Sequence, residues 1–130
     1  FEEPYLGNLQ DHQIRKDIWY LMGIANLAYR RKIISDFEQM GAQFTGFIHP
    51  TSRISPSAKV GRGVVISHSA SLGPKVVVDN HTIINSRTTV GHDTHIGEFN
   101  FISPLCALSG NTKIGEGNLI GTNVITIPGD

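Results

Sequence analysis

The chain has 130 residues, with eleven Lys+Arg against eleven Asp+Glu, so its formal charge is zero when His is neutral. That balance argues against nucleic acid or an anionic membrane as the main partner, because both call for a basic surplus. Charged residues make up 17% against about 25% in ordinary globular chains, and the single Cys excludes an internal disulfide framework or a Cys-rich zinc site. No run nears the roughly 18 apolar residues of a membrane span, and no signal-peptide pattern opens the chain. The expectation is a soluble cytoplasmic protein. A pattern still repeating at Asp130 reads as part of something longer.

Residues 1–47 read as an α/β unit. Ile18-Trp19-Tyr20-Leu21-Met22 has the look of a buried strand, ending at Gly23-Ile24-Ala25. Asn26 is a candidate N-cap, with Tyr29, Ile33, Phe37 and Met40 following at helical spacing and Gly41 at the C′ position. Residues 43–48 form a second expected strand. Strand–helix–strand is half of a nucleotide-binding α/β domain, whose ligand lies beyond the strand's carboxyl end, here near Gly23 and Asn26. The Gly-rich phosphate loop that would confirm such a domain is absent from these residues. Arg30-Arg31-Lys32 could clamp a phosphate, but basic residues in mid-helix read better as a solvated face.

From Ile48 onward every sixth residue is Ile, Leu or Val, through Ile54, Val60, Ile66 and on to Ile120. Four residues after each stands a small or medium side chain, such as Val64, Thr88 or Cys106. Gly often follows the aliphatic residue, as at Gly61, Gly91 and Gly115. A strict six-residue period cannot hold one face of an α-helix, because 3.6 residues per turn would sweep the aliphatic positions around the cylinder. Short strands joined by corners can hold it. Three hexads then close one triangular coil of 18 residues, aliphatic side chains inward, with Gly taking the strained corner conformations. Residues 48–130 amount to about 4.6 coils, a prism about 20 Å tall at the strand spacing.

Val60-Gly61-Arg62-Gly63-Val64 and Ile114-Gly115-Glu116-Gly117-Asn118 carry a signature that resembles the hexapeptide-repeat acyltransferases. Their fold is a left-handed parallel β-helix; the handedness comes from the resemblance, since the period alone implies only a three-sided solenoid. A partial α/β unit followed by Phe47-Ile48-His49-Pro50-Thr51 and Ile54-Ser55-Pro56-Ser57-Ala58 is similar to bacterial sialic acid O-acetyltransferases and nucleotide-4-amino-sugar N-acetyltransferases. The most telling stretch runs from Ile84-Asn85-Ser86 through Val90-Gly91-His92-Asp93 to Ile96-Gly97-Glu98-Phe99. The resemblance implies that residues 1–47 are the C-terminal part of a small sugar-nucleotide-binding domain and residues 48–130 a β-helix acetyltransferase domain, itself expected to be truncated. It further implies acetyl-CoA as co-substrate, no metal, a homotrimer, and a nucleotide-linked 4-amino-deoxysugar or a sialic acid as acceptor.

Acetyl transfer from a thioester needs a base for the acceptor's proton, donors for the developing oxyanion and a groove for the pantetheine arm. Among the six His residues, the resemblance assigns the base to His92, with Asp93 beside it to fix the tautomer. Gly110, eighteen residues on, would lie one coil above with its N–H toward the oxyanion, or else be only a tight corner. Asn85 could contact the sugar or simply face solvent in a turn. Related proteins can carry a second His where this chain has Phe101; Phe can pack on pantetheine or stack an adenine, but it cannot donate a hydrogen bond. Gly121 and Thr122 are further groove candidates by resemblance. His95 reads as a surface or interface residue and Cys106 as core. Two other classes remain open: a non-catalytic trimeric scaffold, and a γ-type carbonic anhydrase using His81, His92 and His95, against which the three-residue spacing of the last pair counts.

Overall fold

The computed structural model describes residues 7–129, as a short β–α–β unit leading into a three-sided parallel β-helix. Strands β1 (Trp19–Tyr20) and β2 (Gln43–Phe44) pair in parallel, with α1 (Leu27–Gln39) crossing between them. The Asn26 side chain accepts the Tyr29 N–H at 3.0 Å, satisfying one of the donors a helix start leaves orphaned. Gly41 ends the helix at φ +94°, its N–H donating to the Glu38 carbonyl at 3.0 Å. Among the described residues no helix is long and apolar enough to cross a membrane.

Four expectations for this unit are corrected. The first strand is short and one-sided: Met22 is buried, but Trp19 and Leu21 are 66% and 55% exposed, because a two-stranded sheet meets α1 through one face. Residues 43–48 divide into β2 and β3 (Phe47–Ile48), the latter already part of the β-helix. Gly46 marks the crossing, since a Cβ there would stand 2.2 Å from the Val64 carbonyl oxygen. The helix buries Arg30, Ile33, Ile34 and Phe37, whereas Tyr29 and Met40 of the expected stripe are exposed. Arg30 is therefore no solvated cation; its Nη1 donates to the His81 carbonyl across the junction with the β-helix. Arg31 lies over the Phe99 ring and 3.6 Å from Glu116, while Lys32 pairs with Asp36 on the exposed side.

The β-helix has three faces. The first stacks β3, β6 (Val65–Ile66), β9 (Ile83–Ile84), β12 (Phe101–Ile102) and β15 (Leu119–Ile120). The second stacks β4 (Arg53–Ile54), β7 (Ser71–Leu72), β10 (Thr89–Val90) and β13 (Ala107–Leu108). The third stacks β5 (Lys59–Val60), β8 (Val77–Val78), β11 (His95–Ile96) and β14 (Lys113–Ile114). All pairs are parallel and in an eighteen-residue register, as in Val65 with Ile83 and Ile83 with Phe101. Ile66, Leu72, Val78, Ile84, Val90, Ile96, Ile102 and Leu108 fill the centre at no more than 3% exposure. Each such burial is worth about 1.5–3 kcal/mol.

The corners explain where Gly is and is not required. Each is a four-residue turn, and from residue 63 to residue 123 its third residue has positive φ: Ser69, Lys75, His81, Arg87, Asp93, Phe99, Leu105, Asn111 and Asn123 lie between +55° and +62°, with Gly63 and Gly117 at +66° and +70°. The Gly directly after the aliphatic residue is not the strained one, contrary to the expectation. It is small because the next coil passes over it: a Cβ on Gly91 would stand 2.4 Å from the Gly110 nitrogen. The second turn residue is Pro at 50, 56, 74 and 104, so this turn does not depend on an N–H at that slot.

Candidate active site

The turn between the second and third faces in the coil of β9, β10 and β11 is Gly91-His92-Asp93-Thr94. Asp93 takes the positive-φ slot at +57°, a conformation Asp and Asn tolerate better than most residues. The backbone is held from both sides: Asp93 N–H donates to the Pro74 carbonyl at 2.9 Å, and the His92 carbonyl accepts from Asn111 N–H at 2.9 Å. Both side chains project outward, 60% and 44% exposed, on a fixed base.

His92 Nδ1 stands 2.9 Å from Asp93 Oδ2. An ionised carboxylate can only accept, so this contact assigns the proton to Nδ1 and leaves the Nε2 lone pair free. Nε2 lies over Gly110: a Cβ at position 110 would stand 2.6 Å from it. Gly110 occupies the turn slot that elsewhere holds Pro, and its N–H makes no hydrogen bond to the described residues. An oriented imidazole and an unused backbone donor thus meet at one corner. Beside them an open trough of about 560 Å³ runs down the second face, lined by Arg53, Ser55, Ser71, Gly73, Pro74 and Val90 among others.

The other candidates lie elsewhere. Asn85 sits at the corner between the first and second faces, its side-chain amide donating to the Ile102 carbonyl at 3.1 Å. Gly121 and Thr122 are exposed at that same corner, higher in the stack. Phe101 is half-buried on the first face, between Ile83 and Leu119. It follows His92 by nine residues, half a coil, and so lies on the opposite side of the prism. Gly23 and Asn26 flank the start of α1 at the carboxyl end of β1, with Asn26 Oδ1 engaged as the cap. One chain therefore assembles His92, Asp93 and Gly110 only.

Two His environments escaped the sequence. His81 is 2% exposed under α1, its ring stacked on Phe99, with Nε2 3.2 Å from Glu38 Oε1. Burial holds its imidazole below the usual pKa, opposed by Glu38 and reinforced by Arg62 and Arg30. Burial likewise lowers Arg30 to about 10. His95 pairs with Asp79 at 2.7 Å on the outer side of the third face. Neither partner is a sequence neighbour; the coil register could have pointed to the His95–Asp79 pair, but no register links His81 to Glu38 on α1. His81, His92 and His95 occupy a buried corner, an exposed corner and a face, and no three metal-ligating side chains cluster among the described residues. Cys106 is 1% exposed, its Sγ 3.1 Å from the Gly121 carbonyl, which is a core position.

The architecture, a left-handed parallel β-helix of hexapeptide repeats behind a small α/β unit, recurs in solved structures. No family model matches the chain. WeeI from Acinetobacter baumannii AYE superposes with a TM-score of 0.83 at 24% identity, over 86% of this chain and 53% of that one. The acetyltransferase domain of PglB from Neisseria gonorrhoeae FA1090 superposes with a TM-score of 0.52 at 18% identity, over 89% of this chain and 68% of that domain. PerB from Caulobacter crescentus, solved with CoA and GDP-perosamine, gives 0.49 at 15% identity over 84% and 64%. The chain spans about half the length of the WeeI chain.

Proposed function

We propose that the chain is the catalytic part of an acetyl-CoA-dependent sugar acetyltransferase, moving acetyl directly to the amine of a nucleotide-linked 4-amino-deoxysugar. The observation that carries this is the corner where His92, oriented by Asp93, lies against the unused N–H of Gly110. The fold shared with the PglB acetyltransferase domain supports it. In this reading His92 Nε2 takes a proton from the amine as its nitrogen attacks the thioester carbonyl. The oxyanion of the tetrahedral intermediate is met by Gly110 N–H. Collapse breaks the C–S bond, and the departing thiolate takes the proton from the imidazolium. Asp93 keeps the ring in the productive tautomer and stabilises the transient cation.

Residues 1–47 then belong to the sugar-nucleotide domain and residues 48–130 to the transferase domain of a cytoplasmic homotrimer, with Phe101, Gly121 and Thr122 toward the CoA arm and Asn85, Gly23 and Asn26 toward the sugar. The test is a panel of UDP- and dTDP-linked amino sugars and sialic acid, incubated with acetyl-CoA and the full-length protein, with free CoA thiol as readout. A 4-amino sugar nucleotide should release CoA. Release with sialic acid alone would move the reading to O-acetylation, and no release with any acceptor would overturn it.

A further inference from the structure

The second face of the β-helix presents Arg53, Ser71, Thr89 and Ala107 in one register column, so a single guanidinium stands at the foot of a column of small side chains. Ile54 packs in the core, which turns its neighbour Arg53 outward. The open trough lies along this column and ends at Gly73, Pro74 and Val90, below the turn that carries His92. Two of its polar side chains are tied up in their own turns: Ser52 Oγ donates to the His49 carbonyl, and Ser55 Oγ lies 3.2 Å from Ser57 Oγ. The Arg53 guanidinium and the Ser71 hydroxyl are not. Arg53 faces no carboxylate, and neither side chain makes a hydrogen bond to the described residues. A cation without a counter-ion, beside a free hydroxyl and below small side chains that leave room, suits a ligand with several anionic oxygens.

We propose that Arg53 and Ser71 hold the diphosphate of the acceptor, and so set how far from that diphosphate the acetylated amine lies. Arg53 stands two coils below Thr89, whose strand runs into the His92 turn, about 10 Å at the strand spacing. A pyranose ring with a diphosphate on C1 and an amine on C4 spans that distance, whereas an amine on C2 falls short of it. The planar guanidinium takes two phosphate oxygens at once, and Ser71 Oγ donates to a third. The direction follows from Gly110. Its N–H lies one coil above His92, and the oxyanion lies with it, so the thioester occupies the upper side and the acceptor reaches Nε2 from the trough. Coenzyme A also carries a diphosphate, and the same two donors would suit it; the placing of Gly110 favours the acceptor. That the trough holds a diphosphate rests on its own residues, whereas the assignment to the acceptor rests on the acetyl-transfer reading.

Calorimetric titration of the full-length protein with UDP, dTDP and GDP, and separately with CoA, tests the site without turnover. The wild type should bind at least one of the nucleoside diphosphates. Arg53→Gln should weaken that binding by about 10–100-fold, the effect of losing a hydrogen bond to a charged group. Arg53→Lys should weaken it less, since the charge stays and only the fork is lost. Ser71→Ala should weaken it by about 3–10-fold. CoA affinity should not change in any of the three, and Lys59→Gln on the third face should bind like the wild type. In turnover of a 4-amino sugar nucleotide, Arg53→Gln should raise the acceptor KM by the same factor with little change in kcat or in the KM for acetyl-CoA. A wild type that binds no nucleoside diphosphate, or an Arg53→Gln variant that binds it equally well, would overturn the inference. Loss of CoA affinity instead would overturn the assignment to the acceptor, and equal turnover of a 2-amino sugar nucleotide would overturn the spacing. Nucleoside diphosphate binding that depends on Arg53, in a protein that releases no CoA thiol with any acceptor, would leave the site standing and remove the acetyl-transfer reading.

Discussion

His92 and Asp93 are consecutive, yet their contact depends on the turn that holds them. Asp93 sits at φ +57°, so its side chain folds back onto His92 Nδ1 instead of extending along a strand. His92→Ala should lower kcat by about 10²–10⁴, the usual effect of losing a general base, with acetyl-CoA affinity nearly unchanged by calorimetry. Asp93→Asn keeps a residue that tolerates the turn, and should reduce kcat by about 10–100-fold with little change in KM. Thermal melting separates this from a folding defect, because Asn preserves the backbone. A second variant probes the floor of the site. Gly110→Ala would place its Cβ 2.6 Å from His92 Nε2, so it should abolish most turnover while leaving the far-UV spectrum intact.

At the scale of single coils, a line of hydrogen bonds runs inside the apolar centre. Thr88 Oγ1 donates to the Ser103 carbonyl at 2.9 Å and accepts from Cys106 N–H at 3.2 Å. Thr82 does the same with Gly97 and Asn100, and Thr94 with Ser109 and Thr112. The small slot thus takes Thr because its hydroxyl closes backbone groups that a two-residue strand leaves open at the corner. Thr88→Val keeps the branched shape but strands a buried N–H and a buried carbonyl. It should cost about 1–3 kcal/mol in denaturant unfolding without moving kcat. At the helix start, Asn26→Ala should cost about 1 kcal/mol, measured in the same way.

For the whole molecule, the joint between α1 and the β-helix is the pH-sensitive part. His81 is buried with Glu38, Arg62 and Arg30 around it, and its pKa is held below the ordinary 6.5. In the unfolded chain it titrates near the ordinary value, so below that pH the unfolded state binds more protons and stability falls. The contribution is complete above about pH 6.5 and is lost as pH drops toward the lower folded value. His81→Asn, which keeps a residue suited to φ +59°, should flatten the dependence of Tm on pH between about 7 and 5.

How much of this could be read beforehand differs between the two parts for a physical reason. In the β-helix, the position of a residue within six and eighteen decides its face, its direction and its neighbour above. The coil, its core column, and Gly110 over His92 are all consequences of that arithmetic. The α/β unit has no such ruler. Its cap at Asn26 and its end at Gly41 are local and were legible, but the side of α1 that packs depends on a β-helix corner 51 residues away, where Arg30 meets His81. The sequence alone determined the solenoid, its period and the adjacency of His92 and Asp93, because these rest on short-range repetition and on turns of four residues. Tertiary structure alone decided that Arg30 is buried and that His81 faces Glu38. Each of those depends on where coils and helix meet in space, which no local pattern of side chains encodes.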